Sequence, residues 1–184
     1  MTAAAEVIHE RGYDAATMAE IAERAGAKIG SLYRFFPSKE VLADALMQRY
    51  ADMVDVACDD IDARLPTITV EELADLFVDF MVRIHHRHET GALIALMDAR
   101  SHWSAKRLEF REQAVKRFAN TLLLKAPKLQ RRTARDIAVV VLNNMKTMVA
   151  MTIDKSAPAS PGSAEELRLM NRLYLVSKLA GSER

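Results

Sequence analysis

The stretch of sequence that decides the fold is residues 17–36, which read TMAEIAERAGAKIGSLYRFF. Thr17 and Glu20 have the spacing of a capping box, in which a hydroxyl group and a carboxylate bind the free amides at the start of a helix. Apolar residues then recur at helical spacing as far as Gly26, a residue typical of helix ends. A second, short helix is predicted to begin at about Ile29. Two helices joined by a tight turn that contains glycine are typical of a helix-turn-helix unit.

The second helix of such a unit enters the major groove of DNA, where its N-terminal residues reach the edges of the bases. Gly30 lies near that end and would allow the backbone to approach DNA closely. Tyr33, Arg34 and Lys39 carry groups that suit phosphates or bases. Helix pairs with a glycine turn also occur in bundles that bind no DNA, so both interpretations stay open on these residues alone.

Two segments around this unit carry a resemblance to a known family: residues 12–26, GYDAATMAEIAERAG, and residues 30–40, GSLYRFFPSKE. They closely resemble the DNA-binding domain of tetracycline-repressor-like (TetR/AcrR) regulators, with the glycines, Tyr33 and Ser-Lys-Glu in register. The resemblance implies a homodimer that binds double-stranded operator DNA. It also implies release from DNA by a small-molecule effector bound in a C-terminal helical bundle.

The resemblance also implies a role in DNA binding for particular residues: Thr17, Lys28, Ile29, Gly30, Ser31, Tyr33, Arg34 and Lys39. Thr17 would cap the first helix of the motif and contact a phosphate, while Tyr33 and Lys39 would bind backbone phosphates. The others from Ile29 to Arg34 would face the groove, where an Arg side chain can pair with guanine through two hydrogen bonds. Lys28 replaces the Ser or Thr that usually caps the recognition helix, so we expect no side-chain cap there, and its ammonium group could meet a phosphate.

The charge of the N-terminal region predicts weak DNA binding. Residues 1–7 contain no base, whereas the family usually has a basic arm before its first helix, and residues 1–50 hold six bases against seven acids. Neutralisation of phosphates by Lys and Arg side chains dominates DNA affinity, so few basic residues imply few phosphate contacts.

The rest of the chain is predicted to be helical as well, which makes the fold class all-α with about nine helices. Strand signals are nearly absent, and helical periodicity recurs throughout. The longer helices are predicted at residues 39–64, 69–88, 91–100, 104–125, 131–155 and 164–180, with a loop at 156–163. We expect a three-helix DNA-binding domain at residues 1–46 and a ligand-binding and dimerisation domain at residues 47–184.

The last two helices are predicted to form the homodimer interface. The helix at residues 131–155 is apolar almost all round, so one side should pack in its own bundle and the other against a partner. In the last helix, Leu169, Leu173, Val176 and Ala180 step by four, three and four residues, which is typical of a helix-packing seam.

By analogy with the family, the effector pocket would lie within the C-terminal bundle. Its predicted lining residues are Phe77, Met81, His85, Trp103, Phe110, Asn144 and Met148. These side chains are mostly apolar, which predicts a hydrophobic or aromatic effector. Plain core packing is the competing interpretation for most of them, and Asn144 could equally be a hydrogen-bonded residue between helices.

Charge and aromatic patterns leave two further expectations. Residues 52–79 carry nine acids against one base, and residues 106–135 carry ten bases against two acids. Solvated helix faces are the expectation, with an electrostatic match within or between subunits as the alternative. Phe35 and Phe36 could stack on bases, but helical spacing favours core contacts for them.

No catalytic, metal or cofactor signature stands out. The chain has no phosphate-binding glycine loop after a strand and no G-x-S-x-G, so we expect no enzyme. His85, His86, His88 and Glu89 form a metal-like cluster, for which interaction with a helix end is the favoured interpretation. A single cysteine, Cys58, and the lack of a signal-like segment indicate a cytoplasmic protein. The competing function is a helical dimerisation or adaptor protein that has lost DNA binding.

Overall fold

The computed structural model describes residues 1–85, 89–99, 104–153 and 161–180, and these residues form helices and connecting turns with no strand. The helices are α1 (Thr2–Arg11), α2 (Met18–Arg24), α3 (Ile29–Phe35), α4 (Lys39–Arg64), α5 (Val70–His85), α6 (Glu89–Asp98), α7 (Ser104–Lys125), α8 (Arg131–Ile153) and α9 (Pro161–Leu179). The predicted all-α class is confirmed. None of the described helices is long and apolar enough to cross a membrane.

The helix ends at the motif follow the local signals. The amide of Glu20 donates to Thr17 Oγ1 (3.2 Å) and the amide of Thr17 donates to a Glu20 carboxylate oxygen (3.0 Å), so the predicted capping box is confirmed. Gly12 and Gly26 end α1 and the α2 turn at φ values of 76° and 62°, a region that favours glycine. Ser38 caps α4, because its hydroxyl group accepts from the amide of Val41 (3.3 Å).

The start of α9 differs from the prediction. Pro161, Gly162 and Ser163 were expected in a loop, and the structure places them in the first turn of the helix. Proline fits there because the first helical amides have no partner within the helix and the φ angle of proline is already helical. The predicted ends at residues 86–88 and 154–155, and the rest of the loop to residue 160, lie outside the described residues.

Contacts divide the chain into two compact units, residues 1–53 with 84–111 and residues 54–83 with 112–184. The core of the first unit contains buried apolar residues of α1, α2, α4 and α6. Gly91 of α6 is buried, and a Cβ atom there would collide with the His9 imidazole of α1, so the glycine permits close packing of these helices. The predicted functional boundary between residues 46 and 47 stays a prediction.

The core of the second unit centres on aromatic and aliphatic side chains of α5, α7 and α8. The rings of Phe77 and Phe118 lie 4.6 Å apart at a tilt of 38° and are fully buried. Ile137, Val141 and Met145 line the buried face of α8. These residues recur every four positions, as expected of a helix with one face in a core.

Ion pairs in the second unit decide whether the acidic and basic segments are solvated faces or pair with each other. Arg117 of the basic segment contacts three carboxylates of the acidic segment: Asp59, Asp62 (2.7 Å) and Asp55 (3.7 Å). The expectation of solvated faces is therefore wrong at this point, and the electrostatic match within the chain occurs. Arg168 of α9 pairs in turn with Asp79 of α5 (2.7 Å).

Lys39, the first residue of α4, ties that helix to the loop between α1 and α2. Its ammonium group donates to the main-chain oxygens of Tyr13 (3.0 Å), Asp14 (3.1 Å) and Ala16 (3.0 Å), and it lies 4.7 Å from the centre of the Tyr13 ring. An ammonium group has three donor hydrogens, so all of them are satisfied within the first unit.

We predict that Lys39→Ala lowers the free energy of unfolding by roughly 2 kcal/mol, because three main-chain acceptors lose a charged donor at a half-buried site. Lys28→Ala is the matched control, since Lys28 is exposed and none of the described contacts involves its side chain. Urea unfolding followed by circular dichroism measures both. Equal midpoints for Lys39→Ala and the parent protein would contradict the role of this contact.

Candidate nucleic-acid interface

The second motif helix, α3, contacts the core of the first unit through one narrow face. None of its seven residues is buried. Leu32, together with Phe36 just beyond the helix, packs against the core of the first unit. Successive residues turn by about 100° in an α-helix, so Gly30 and Arg34 lie on the side opposite Leu32. Ser31 lies beside them, and this outward face is therefore available to a partner.

Gly30 has no role in the internal packing of the described chain. A Cβ atom at this position would meet nothing within 4 Å, and the backbone does not require a positive φ. Glycine inside a helix costs about 0.5–1 kcal/mol relative to alanine. Neither the packing of the described chain nor its backbone conformation therefore accounts for glycine at this position.

The positive charge that faces outward is concentrated on Lys28 and Arg34. Lys28 precedes α3 and makes no side-chain cap, as the sequence predicted. Among the described contacts, none pairs Lys28 or Arg34 with a carboxylate. Both side chains lie on the exposed surface next to the outward face of α3.

Two other basic residues of the motif region form ion pairs with glutamates. Arg24 forms two hydrogen bonds with Glu10 (3.0 and 2.7 Å) and one with Glu6 (3.3 Å), and Arg11 lies 3.6 Å from Glu20. The hydrogen bonds from Arg24 lower the pKa of Glu10, and those from Thr17 lower the pKa of Glu20. Both acids therefore remain ionised at neutral pH, and they reduce the positive field of this region.

The structure places the other predicted DNA-binding residues as follows. Ile29 and Tyr33 are exposed on the flanks of α3. The Thr17 hydroxyl group also donates to the Glu20 carboxylate (2.8 Å), so it is fully engaged in the cap, and Lys39 is engaged as described above. The phosphate contacts of Thr17, Tyr33 and Lys39 stay predictions.

Phe35 and Phe36 differ in their exposure, although the sequence predicts core contacts for both. Phe36 packs against the core as expected, whereas Phe35 is 67% exposed at the end of α3. The expectation of a core contact is wrong for Phe35, because one helical step of about 100° turns it away from the face that carries Phe36. On a helical wheel Phe35 lies about 60° from Leu32 and Phe36 about 40°, so periodicity in the sequence does not separate the two rings.

The predicted effector-binding residues are only partly brought together. Phe77 and Met148 are buried and Asn144 is half-buried in the second unit, where Asn144 donates to the Asn171 side-chain oxygen (3.1 Å). Phe110 instead packs against the core of the first unit. Trp103 and the side chains of Met81 and His85 lie outside what the structure describes, and so do His86 and His88. The effector pocket stays a prediction.

A capped helix, a glycine turn and an exposed second helix form a helix-turn-helix unit. This unit places the protein in the class of helix-turn-helix proteins. Residues 1–46 match the family model described as bacterial regulatory proteins, tetR family. For residues 1–46, this match confirms the resemblance seen in the sequence.

Curated relatives match less than half of the chain. The HTH-type transcriptional repressor KstR2 of Mycobacterium tuberculosis is 36% identical over 93 residues, which are 46% of this chain and 42% of the repressor. The HTH-type transcriptional activator FasR of Mycolicibacterium smegmatis is 50% identical over 52 residues, which are 28% of this chain and 24% of the activator. The chain thus spans less than half the length of these relatives.

A solved structure has the same fold over nearly the whole chain. The transcriptional regulator FadR from Bacillus subtilis, in complex with stearoyl-CoA, superposes with a TM-score of 0.72 over 96% of this chain and 95% of that chain. The sequence identity is 19%, so the likeness shows the fold.

Gly30→Ala tests whether the outward face of α3 meets DNA. We predict that the variant is as stable as the parent protein or more stable by up to about 1 kcal/mol, because alanine favours the helix. Its affinity for duplex DNA should nevertheless fall, because a methyl group then stands between the backbone and the groove. Thermal unfolding and fluorescence anisotropy on the same preparations measure the two effects. A variant with unchanged DNA affinity would place the interface elsewhere.

Proposed function

We propose that the protein is a DNA-binding transcriptional repressor that binds an operator as a homodimer and is released by a small hydrophobic effector. The observation that carries this proposal is the outward face of α3: Gly30 has no role in the described packing, and none of the described contacts pairs Arg34 or the nearby Lys28 with a carboxylate. Repression rather than activation is favoured by the longer of the two curated matches, which is to a repressor. Such a regulator would work in the cytoplasm, and no enzymatic activity is proposed.

Exposed apolar residues on α8 and α9 support the homodimer. Leu169 and Leu173 of the predicted seam are exposed in the single chain, as is the neighbouring Met170, and Val140 of α8 is exposed as well. The buried face of α9 instead carries Leu175 and Leu179, so the seam is a second, separate face of that helix. Burial of this face against a second copy would give a four-helix interface related by a two-fold axis.

The proposed effector is a mainly hydrophobic small molecule. The aromatic and methionine residues predicted to line the pocket support this class, and the regulator of similar fold is bound to a long-chain acyl thioester, stearoyl-CoA. Stearoyl-CoA is therefore the first compound to test. Asn144 supplies a polar group among the predicted lining residues, although in the single chain it already donates to Asn171.

The test of function begins with selection of duplexes from a random-sequence pool by the full chain. Fluorescence anisotropy on an enriched duplex should show binding that weakens as the salt concentration rises. Basic side chains that bind phosphates release counterions from DNA, and added salt opposes that release. An adaptor protein that has lost DNA binding would enrich no duplex and show no salt-dependent binding. That result would overturn the proposal.

Coupling to the effector is tested on the same duplex. A compound that raises the thermal unfolding temperature should lower DNA affinity, and DNA should lower the affinity for the compound by the same factor. Arg34→Ala provides a comparison that weakens DNA binding without touching the predicted pocket. A bound compound that leaves DNA affinity unchanged would show that the protein is not released by that compound.

The dimer makes a separate prediction. Leu173→Asp should convert a dimer to a monomer, because a charge placed at the centre of an apolar interface loses its water on association. Leu124→Asp is the matched control: both leucines are 60% exposed, and Leu124 lies on α7 outside the proposed interface. Sedimentation velocity at micromolar concentration distinguishes the species. A monomeric parent protein, or a Leu173→Asp variant that remains dimeric, would contradict this interface.

A further inference from the structure

Phe35 is the most exposed large apolar side chain among those recorded for the described residues, at 67%. It lies on the proposed DNA-binding helix, one turn after Ser31 on the same side. Packing within the first unit does not account for it, because the adjacent Phe36 supplies the core contact. An exposed aromatic ring at a proposed binding surface indicates a contact with the partner.

The ring is held next to the side chain proposed to read a base. The guanidinium carbon of Arg34 lies 5.4 Å from the centre of the Phe35 ring, within the range of a cation–π contact. This contact limits the freedom of both side chains before DNA is bound. A planar guanidinium group and an apolar ring thus form one composite surface, with hydrogen-bond donors on one part and no polar atom on the other.

The chemistry of the ring selects its partner on DNA. A phenyl ring has no N–H or O–H group to donate to a phosphate oxygen and no lone pair to accept a conventional hydrogen bond from a base amino group. The major groove presents one apolar group among the base edges, the C5-methyl group of thymine, and phenylalanine is among the side chains that suit it.

We propose that Phe35 is a specificity-determining residue whose ring contacts the C5-methyl group of a thymine next to the base that Arg34 reads. The inference rests on the proposed function and deepens it, because it adds a thymine to the preferred site. Arg34 pairs best with guanine, so the composite surface favours neighbouring guanine and thymine positions in each half-site. The apolar contact adds affinity without a phosphate contact, in a motif where Arg11 and Arg24 are already paired with acids.

The experiment uses the full chain and a duplex that this chain enriches from a random-sequence pool. A second duplex has the same sequence with deoxyuridine in place of every thymidine, which removes the methyl groups and keeps the base pairs. The parent protein should bind the thymine duplex more tightly. In Phe35→Ala the ratio of the two affinities should fall by about threefold to fivefold, the value of one buried methyl-sized group.

Two control variants separate the ring from general effects. Phe35→Leu keeps an apolar side chain and should retain most of the preference for thymine. Val56→Ala removes an exposed apolar side chain from α4, outside the motif, and should leave the affinity ratio unchanged. Because Phe35 is exposed, all three variants should unfold close to the temperature of the parent protein.

The outcomes distinguish this inference from the proposed function. If a duplex is enriched and Phe35→Ala keeps the affinity ratio of the parent protein, the methyl contact does not exist while DNA binding stands. Equal weakening on both duplexes has the same meaning, because the ring would then contact sugars rather than thymine. If no duplex is enriched, the proposed function fails and this inference fails with it.

Discussion

A short helix that buries none of its residues cannot hold itself in place, and this constraint shapes the first unit. α3 has seven residues and buries none of them, whereas short helices in water depend on tertiary contacts. Two apolar side chains, Leu32 and Phe36, provide its anchorage in the core. The turn before α3 and the helix after it therefore have to be rigid, because they determine the direction of the outward face.

Hydrogen bonds supply that rigidity where apolar contacts cannot. The capping box of Thr17 and Glu20 orders the start of α2, and Lys39 joins α4 to three carbonyl groups of the preceding loop. These groups have the chemistry of phosphate ligands, yet in the folded chain they satisfy the backbone. A charged or polar residue in a binding motif can thus support the geometry of the interface whether or not it touches DNA.

The electrostatics of the motif favour selectivity over non-specific affinity. Pairing of Arg24 with Glu6 and Glu10 removes positive charge that would otherwise attract any DNA. Among the groups that stay outward, Lys28 suits a phosphate, whereas Arg34 and Phe35 are proposed to recognise bases. In the second unit, Arg117 and Arg168 are likewise engaged with aspartates, and the apolar stripe of α9 that includes Leu173 is left exposed for the proposed partner.

Local signals in the sequence determined most helix boundaries, because caps and turns depend on residues three or four positions apart. α4 and α7 have the predicted bounds, and the glycine turn and both motif helices follow from side-chain and φ preferences. Contacts between distant segments were decided only by the tertiary structure. The three carbonyl partners of Lys39, the pairing of Arg117 with the aspartates of α4, and the packing of Phe110 in the first unit involve residues that are far apart in sequence. The exposure of Phe35 belongs to the same group, because only the position of the core decides which of two adjacent aromatic rings is covered.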